Sequence, residues 1–125
     1  MAKNILIVDD EPHFCEALKD FLLEKGHNVE VVHDGFDAVE SYGRRRPDVV
    51  LLDVEMPGKT GLETLRELKA LDPQACVIVI TGVLQKELHK LVMSEGAFDF
   101  ISKPFNFDRL EMALRTKTLI YGMPK

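Results

Sequence analysis

An excess of basic charge is what this chain most clearly lacks: Asp and Glu number 21 against 16 Lys and Arg, a formal net charge of −5. That mildly acidic balance offers no electrostatic footprint for a phosphate backbone, so direct nucleic-acid binding by this chain is not expected. Cysteine is scarce too. Cys15 and Cys76 lie far apart and form no CxxC pair, which argues against a disulfide or zinc framework and fits a reducing cytoplasm. No apolar run approaches the roughly 20 residues a membrane span needs. The run that follows Met1-Ala2-Lys3-Asn4 is too short for a secretory leader, so a soluble cytoplasmic protein without membrane contact is expected. Internal repeats, low-complexity tracts and linkers are missing as well. What remains is an ordinary globular composition, 46% hydrophobic and 30% charged over 125 residues, enough for one domain with a real core and too few for two.

Short apolar runs recur along the chain at Ile5 to Val8, Val49 to Leu52, Val77 to Ile80 and, interrupted by Asp99, Phe98 to Ile101. Continuous runs rich in β-branched residues read as parallel strands buried on both faces. Asn28 to Val32 carries Glu30 at its centre and reads as an exposed edge strand. Helical spacing fills the intervals: Phe14, Leu18, Phe21 and Leu22, stopped near Gly26; Phe36, Val39 and Tyr42 after Asp34-Gly35; Leu62, Leu65, Leu68 and Leu71, stopped by Asp72-Pro73. Leu84, Leu88, Leu91 and Val92 mark a fourth helix ended by Gly96. A fifth is capped by Asn106 or Asp108 and turns Leu110, Ala113, Leu114 and Leu119 inward. The pattern is (βα)5, an α/β doubly wound fold with a five-stranded parallel sheet and right-handed crossovers. Such sheets bind ligands at the carboxyl ends of their strands.

Those ends carry chemistry. Asp9-Asp10-Glu11 follows the first run, Asp53 the third, Thr81 the fourth, and Lys103-Pro104 comes just after the fifth. One aspartate at a strand end is commonly a helix cap; carboxylates, a hydroxyl and an ammonium converging on one rim are poorly explained by capping. Clustered carboxylates repel one another, and a divalent cation relieves this better than protonation at neutral pH. All-oxygen ligands favour Mg²⁺, with Mn²⁺ as the alternative, over zinc. A carboxylate beside a hard cation, a lysine and a hydroxyl suits phosphoryl chemistry: cation and lysine neutralise the phosphoryl oxygens while the carboxylate attacks phosphorus. Asp53, ending the run expected to be central, is the best nucleophile; Lys103 supplies a point charge on a long stem, and Thr81 a short donor.

Taken in order, Asp9-Asp10-Glu11-Pro12, the segment Leu51-Leu52-Asp53-Val54-Glu55-Met56-Pro57-Gly58 with Gly61, Thr81-Gly82, and Phe100-Ile101-Ser102-Lys103-Pro104-Phe105 resemble the receiver domain of two-component response regulators. The likeness runs from Ile5 to about Leu119 and implies a single receiver domain over residues 1–125, with a core of about 4–120 and a flavodoxin-like sheet in order 2-1-3-4-5. It implies that Asp53 is the phosphoacceptor, loaded by a sensor histidine kinase or a histidine phosphotransfer protein. It further implies that Asp10 and Asp53 ligate Mg²⁺ directly, Asp9 largely through a water, and Glu55 through its backbone carbonyl. Lys103 would pair with the phosphoryl group, and the peptide before Pro104 would be cis. Thr81 and Phe100 would form the switch: Thr81 is drawn to the phosphoryl oxygens and Phe100 swings into the vacated space, changing the surface of the fourth helix, fifth strand and fifth helix. Phe100 stands where tyrosine is common, leaving packing alone to report the event. Only self-directed phosphotransfer and autodephosphorylation are expected, so the protein is a signalling switch rather than an enzyme. Glu55 and Val83 flank the expected path of the attacking water, and an acidic with an apolar side chain there suggests slow aspartyl-phosphate hydrolysis.

Other residues read plainly. His13, His27, His33 and His89 are scattered and expected to be surface or structural, Arg44-Arg45-Arg46 a solvated helix terminus, and Cys15 and Cys76 unreactive; Phe105 and Phe107 belong either to the core or to an output face. An FMN-binding fold of the same architecture would need a Ser/Thr/Gly-rich first loop, where this chain has Asp9-Asp10-Glu11. An aspartate-nucleophile phosphatase would repeat Asp two positions after the nucleophile, where Glu55 stands, and would need a cap. A degenerate, purely binding receiver is disfavoured because Asp9, Asp10, Asp53, Thr81 and Lys103 are all present. Output passes either to a separate downstream protein or to a fused domain, with dimerisation on phosphorylation as one route.

Overall fold

The computed structural model describes residues 2–55, 60–82, 86–103 and 105–121, with side chains described as far as residue 116. Strands and helices alternate throughout: β1 (Asn4–Val8), α1 (Pro12–Glu24), β2 (Asn28–Val32), α2 (Gly35–Arg45), β3 (Val49–Asp53), α3 (Gly61–Leu71), β4 (Val77–Thr81), α4 (Lys86–Ser94), β5 (Asp99–Ser102) and α5 (Phe107–Tyr121). The strands form one parallel sheet in the order β2-β1-β3-β4-β5, as the resemblance implies.

Why the central strands read as unbroken apolar runs is clear from their two faces. Ile5, Ile7, Val49, Leu51, Ile78 and Ile80 turn to one side, where Leu18 and Leu22 of α1 and Leu110 and Leu114 of α5 cover them. Leu6, Val8, Val50, Leu52, Val77 and Val79 turn to the other, beneath Ala38 and Tyr42 of α2, Leu65 and Leu68 of α3 and Val92 of α4. Successive residues alternate across the sheet, so both parities must be apolar when both faces are covered. Each fully buried Leu or Ile contributes roughly 1.5–3 kcal/mol relative to exposure. Edge strand β2 is only partly buried, and its Glu30 accepts from Ser41 Oγ at 2.5 Å.

Local signals set the helix ends. Asp34 accepts from the Asp37 amide at 2.8 Å to cap α2, and Thr60 forms a reciprocal capping box with Glu63 at the start of α3. For α5 the choice between Asn106 and Asp108 resolves to Asn106, whose Oδ1 accepts from the Arg109 amide at 3.0 Å. Gly26 (φ 90°) and Gly96 (φ 99°) end α1 and α4 in the left-handed region that favours glycine.

Four expectations shift. Phe36 is 67% exposed rather than inward, and Leu71 and Leu91 are also exposed. Steps of three residues fall short of a 3.6-residue turn by about 60° each, so a series such as Phe36, Val39, Tyr42 or Leu62, Leu65, Leu68, Leu71 rotates off the buried stripe at its ends. β5 starts at Asp99, one residue later than expected, and that carboxylate is turned to Arg109 at 3.1 Å. Leu84 and the side chain of Leu119 lie outside the described residues.

Candidate functional site

β1, β3 and β4 end side by side, and the side chains at or just after their ends meet the one that follows β5 at one rim. Asp9 follows the last residue of β1 and is buried; its Oδ1 accepts from the Glu11 amide at 2.9 Å and its Oδ2 from Lys103 Nζ at 2.8 Å. Asp53 is the last residue of β3, also buried; its Oδ1 accepts from the Glu55 amide at 2.8 Å, and its Oδ2 faces Lys103 Nζ at a looser 3.4 Å. Asp10 is exposed, yet it offers a carboxylate oxygen within 4.8 Å of those of Asp9 and Asp53. Lys103 follows β5, held by its own amide donating to the Thr81 carbonyl at 2.7 Å. α3 closes against the rim from outside: a Cβ on Gly61 would stand 2.1 Å from Val54 Cα and 2.8 Å from the Asp53 carbonyl oxygen, a position open only to glycine.

Asp9, Asp10 and Asp53 with Lys103 alone carry a formal charge of −2 when all are ionised, and Glu11 Oε1, 3.8 Å from Lys103 Nζ, makes the rim more negative still. Burial penalises the anion on Asp53 and, reinforced by the charge of Asp9, raises its pKa above the ordinary carboxylate value despite the Glu55 amide and Lys103. Burial also opposes the charge on Lys103, but its hydrogen bond to Asp9 and the nearby charges of Asp53 and Asp9 outweigh this, and its pKa is raised. A rim that is net negative, oxygen-only and partly open to water through Asp10 fits a hard divalent cation and does not suit the phosphate of a bound nucleotide.

The sequence-predicted residues thus come together, with two additions. Thr81, fully buried at the end of β4, donates its hydroxyl to Glu55 Oε1 at 2.8 Å, and the Gly82 amide donates to the same oxygen at 2.8 Å. Glu55 therefore enters the site through its side chain as well as its backbone. Register explains it: Asp53 pairs with Ile80, which sets Glu55 and Gly82, each two residues on, beside one another. The second addition is Phe14, whose ring lies 4.2 Å beneath Lys103 Nζ. Phe14 meets Phe105 edge-on at 6.0 Å, and Phe107 tilts against Phe21 at 4.8 Å, so Phe105 and Phe107 belong to the α1 side of the core.

Phe100, half-buried on β5, packs against the α2–α4 side of the core and carries His89 stacked on it at 4.8 Å. His27 accepts from the Lys3 amide, and His33 is hydrogen-bonded to the Asp9 carbonyl. The Cys15 thiol donates to that carbonyl, and burial pushes its pKa up to about 11, which suppresses reactivity. Arg44, Arg45 and Arg46 are exposed and paired with Glu30, Glu40 and Asp72. Val83 and Pro104, with Met56, Pro57 and Gly58 of the expected motif, lie outside the described residues. No helix among the described residues is long and apolar enough to cross a membrane.

Comparison with known proteins follows the same lines. The profile of the response regulator receiver domain matches residues 5–115. The chain is 39% identical over 120 residues to the chemotaxis protein CheY of Bacillus subtilis (strain 168), covering 95% of this chain and 99% of that one. It is 36% identical over 111 residues to the transcriptional regulatory protein ZraR of Salmonella typhimurium, covering 89% of this chain but 25% of that protein. Among solved structures, a chain of the CheX-CheY-BeF3-Mg²⁺ complex from Borrelia burgdorferi superimposes with a TM-score of 0.86 at 30% identity, over 90% of this chain and 87% of that one. The chain thus spans nearly all of the chemotaxis relative and about a quarter of the transcriptional one.

Proposed function

The chain belongs to the response regulator receiver domain family, the switch modules of two-component signalling, and from that premise we propose that Asp53 accepts a phosphoryl group in a Mg²⁺-dependent reaction. The observation that carries this reading is the unequal grip of Lys103: tight on Asp9 at 2.8 Å, loose on Asp53 at 3.4 Å. The tight bond fixes the ammonium, and the loose one leaves an oxygen of a buried carboxylate available to attack. The donor is a phosphohistidine on a sensor histidine kinase or a histidine phosphotransfer protein. A P–O bond forms at Asp53 as the donor's P–N bond breaks; the imidazole nitrogen keeps that electron pair and takes a proton from solvent.

Lys103 neutralises charge arriving on the phosphoryl oxygens, and Phe14 beneath it keeps the ammonium aimed. Asp9, Asp10 and Asp53, with the Glu55 carbonyl, are the residues that would hold the cation, which when bound would neutralise phosphoryl charge and orient the group. Thr81 then turns to the new oxygens, Phe100 repacks, and the α4-β5-α5 surface passes the signal to a downstream protein or fused output domain, with dimerisation as one outcome. The whole of 1–125 acts as this one receiver, with a core of about 4–120, in the cytoplasm.

Incubation with Mg²⁺ and a small phosphodonor, followed by intact-mass measurement, tests the reading. One phosphoryl adduct on the wild type, absent from Asp53→Asn and abolished by EDTA, is expected. An equal adduct on Asp53→Asn, or none on the wild type, overturns it.

A further inference from the structure

Glu55 Oε1 sits on a hydroxyl and a backbone amide, Thr81 Oγ1 and Gly82 N, each at 2.8 Å. A single anionic oxygen received by a side-chain hydroxyl and an adjacent amide is the arrangement that also receives a phosphoryl oxygen. The same residue's backbone amide is bonded to Asp53 Oδ1, so this anion stands directly beside the acceptor carboxylate. Space confirms how closely the oxygen is seated: a Cβ on Gly82 would meet Glu55 Oε1 at 3.3 Å. Glu55 is itself exposed, so its carboxylate can leave for water and remain solvated.

We propose that the Glu55 carboxylate is an internal stand-in for the phosphoryl group: it occupies the Thr81 and Gly82 donors in the unphosphorylated protein and must be evicted when Asp53 is modified. This rests on the reading of Asp53 as acceptor and adds a competitor to it. Before modification the carboxylate keeps the buried Thr81 hydroxyl and the Gly82 amide satisfied. The incoming group displaces an anion rather than meeting open donors, and its apparent affinity falls by the fraction of time the seat is taken. Glu55 is thus a determinant of how readily the site is loaded and how long it stays loaded, through two hydrogen bonds and not merely through its charge.

The test uses the whole chain with Mg²⁺ and beryllofluoride, a phosphoryl mimic, on wild type, Glu55→Gln and Glu55→Ala. Glu55→Ala should bind about tenfold more tightly, because the Glu55 carboxylate no longer competes for the two donors. Glu55→Gln keeps a neutral oxygen there and should gain distinctly less. In metal-free, unmodified protein the Gly82 amide proton, followed by NMR, should move upfield in Glu55→Ala and shift less in Glu55→Gln. Equal gains in the two variants would reduce Glu55 to simple charge repulsion and overturn the proposal, as would unchanged affinities or an unmoved Gly82 resonance. If the wild type and both variants take up no Mg²⁺-dependent beryllofluoride, the failure lies in the acceptor reading itself. The Gly82 measurement, which needs neither ion, separates the two cases.

Discussion

Replacing Lys103 by methionine keeps the length of the stem and removes the cation that two buried carboxylates share. Asp9 is 2% exposed and Asp53 3%, so neither can recover full hydration by a small movement. Breaking a buried ion pair by deleting one partner costs about 3–5 kcal/mol. Two features moderate this here. Lys103 keeps 14% exposure, and each carboxylate retains a backbone amide, from Glu11 on Asp9 and from Glu55 on Asp53. A loss of about 2–3 kcal/mol in EDTA at pH 7 is therefore expected from urea denaturation. The sign with pH follows from Asp53. Its pKa in the folded protein is already raised by burial and rises further without Lys103, so the native state holds a proton that the unfolded chain releases. Stability of the variant should recover as pH falls from 7 towards, but not below, the unfolded carboxylate value, and the gap to wild type should narrow. Adding Mg²⁺ at pH 7 should likewise stabilise the variant more than the wild type, because without the ammonium the folded carboxylate cluster is one charge more negative towards a cation. A loss below about 1 kcal/mol in EDTA, or a gap equal at pH 5 and pH 7, would refute the view that the ammonium neutralises buried charge.

Two further outcomes test the frame around the site. Tyr42, buried on α2, donates its hydroxyl to Asp72 Oδ2 at 2.7 Å, its own pKa driven upward by burial and that bond while Asp72's is lowered. Tyr42→Phe should cost about 1–2 kcal/mol, or about 4–8 °C in Tm, since Asp72 keeps Arg46 and the Gln74 amide; an unchanged melting curve would mean that this α2–α3 strut carries no weight. His27 accepts from the Lys3 amide at 3.1 Å and must be neutral to do so, and burial followed by the Lys3 charge lowers its pKa below 6.5. Its contribution is complete above that value and is lost as pH falls through the lowered one, so His27→Gln should flatten the stability slope between about pH 5 and 7; a slope identical to wild type would remove His27 as its source.

The parts of this fold that were legible in the sequence are those where one physical demand acts on consecutive residues. Burial on both faces leaves no parity for polar side chains, so β1, β3 and β4 announce themselves, and Asp9, Asp53 and Thr81 stand out as the points where each run stops. Asp34, Asp72 and Gly96 mark helix ends by the same local logic. Phe36 and Leu71 misled because steps of three look helical while drifting off the buried stripe. Two contacts of the site were not legible for a different reason. Glu55 with Thr81 and Phe14 with Lys103 depend on strand register and on how α1 lies over the sheet, which no local pattern specifies. Given the pairing of Asp53 with Ile80, the first of these follows at once; without it, Glu55 reads as a backbone ligand and a neighbour of the attacking water, with nothing to join its side chain to Thr81.

Lys103 and Asp9 are separated by 94 residues of chain, and Lys103 and Asp53 by 50. The 2.8 Å bond between the first pair therefore closes a loop that contains four of the five strands and all but the last helix. A chain emerging during synthesis has placed its carboxylates long before the residue that neutralises them exists. Loop-closure entropy on this scale is recovered only when β5 docks against β4. The charge balance of the rim thus depends on β5: until that strand is in place, the acidic ends of β1 and β3 repel one another without their ammonium, and the complete site exists only once β5 has joined the sheet.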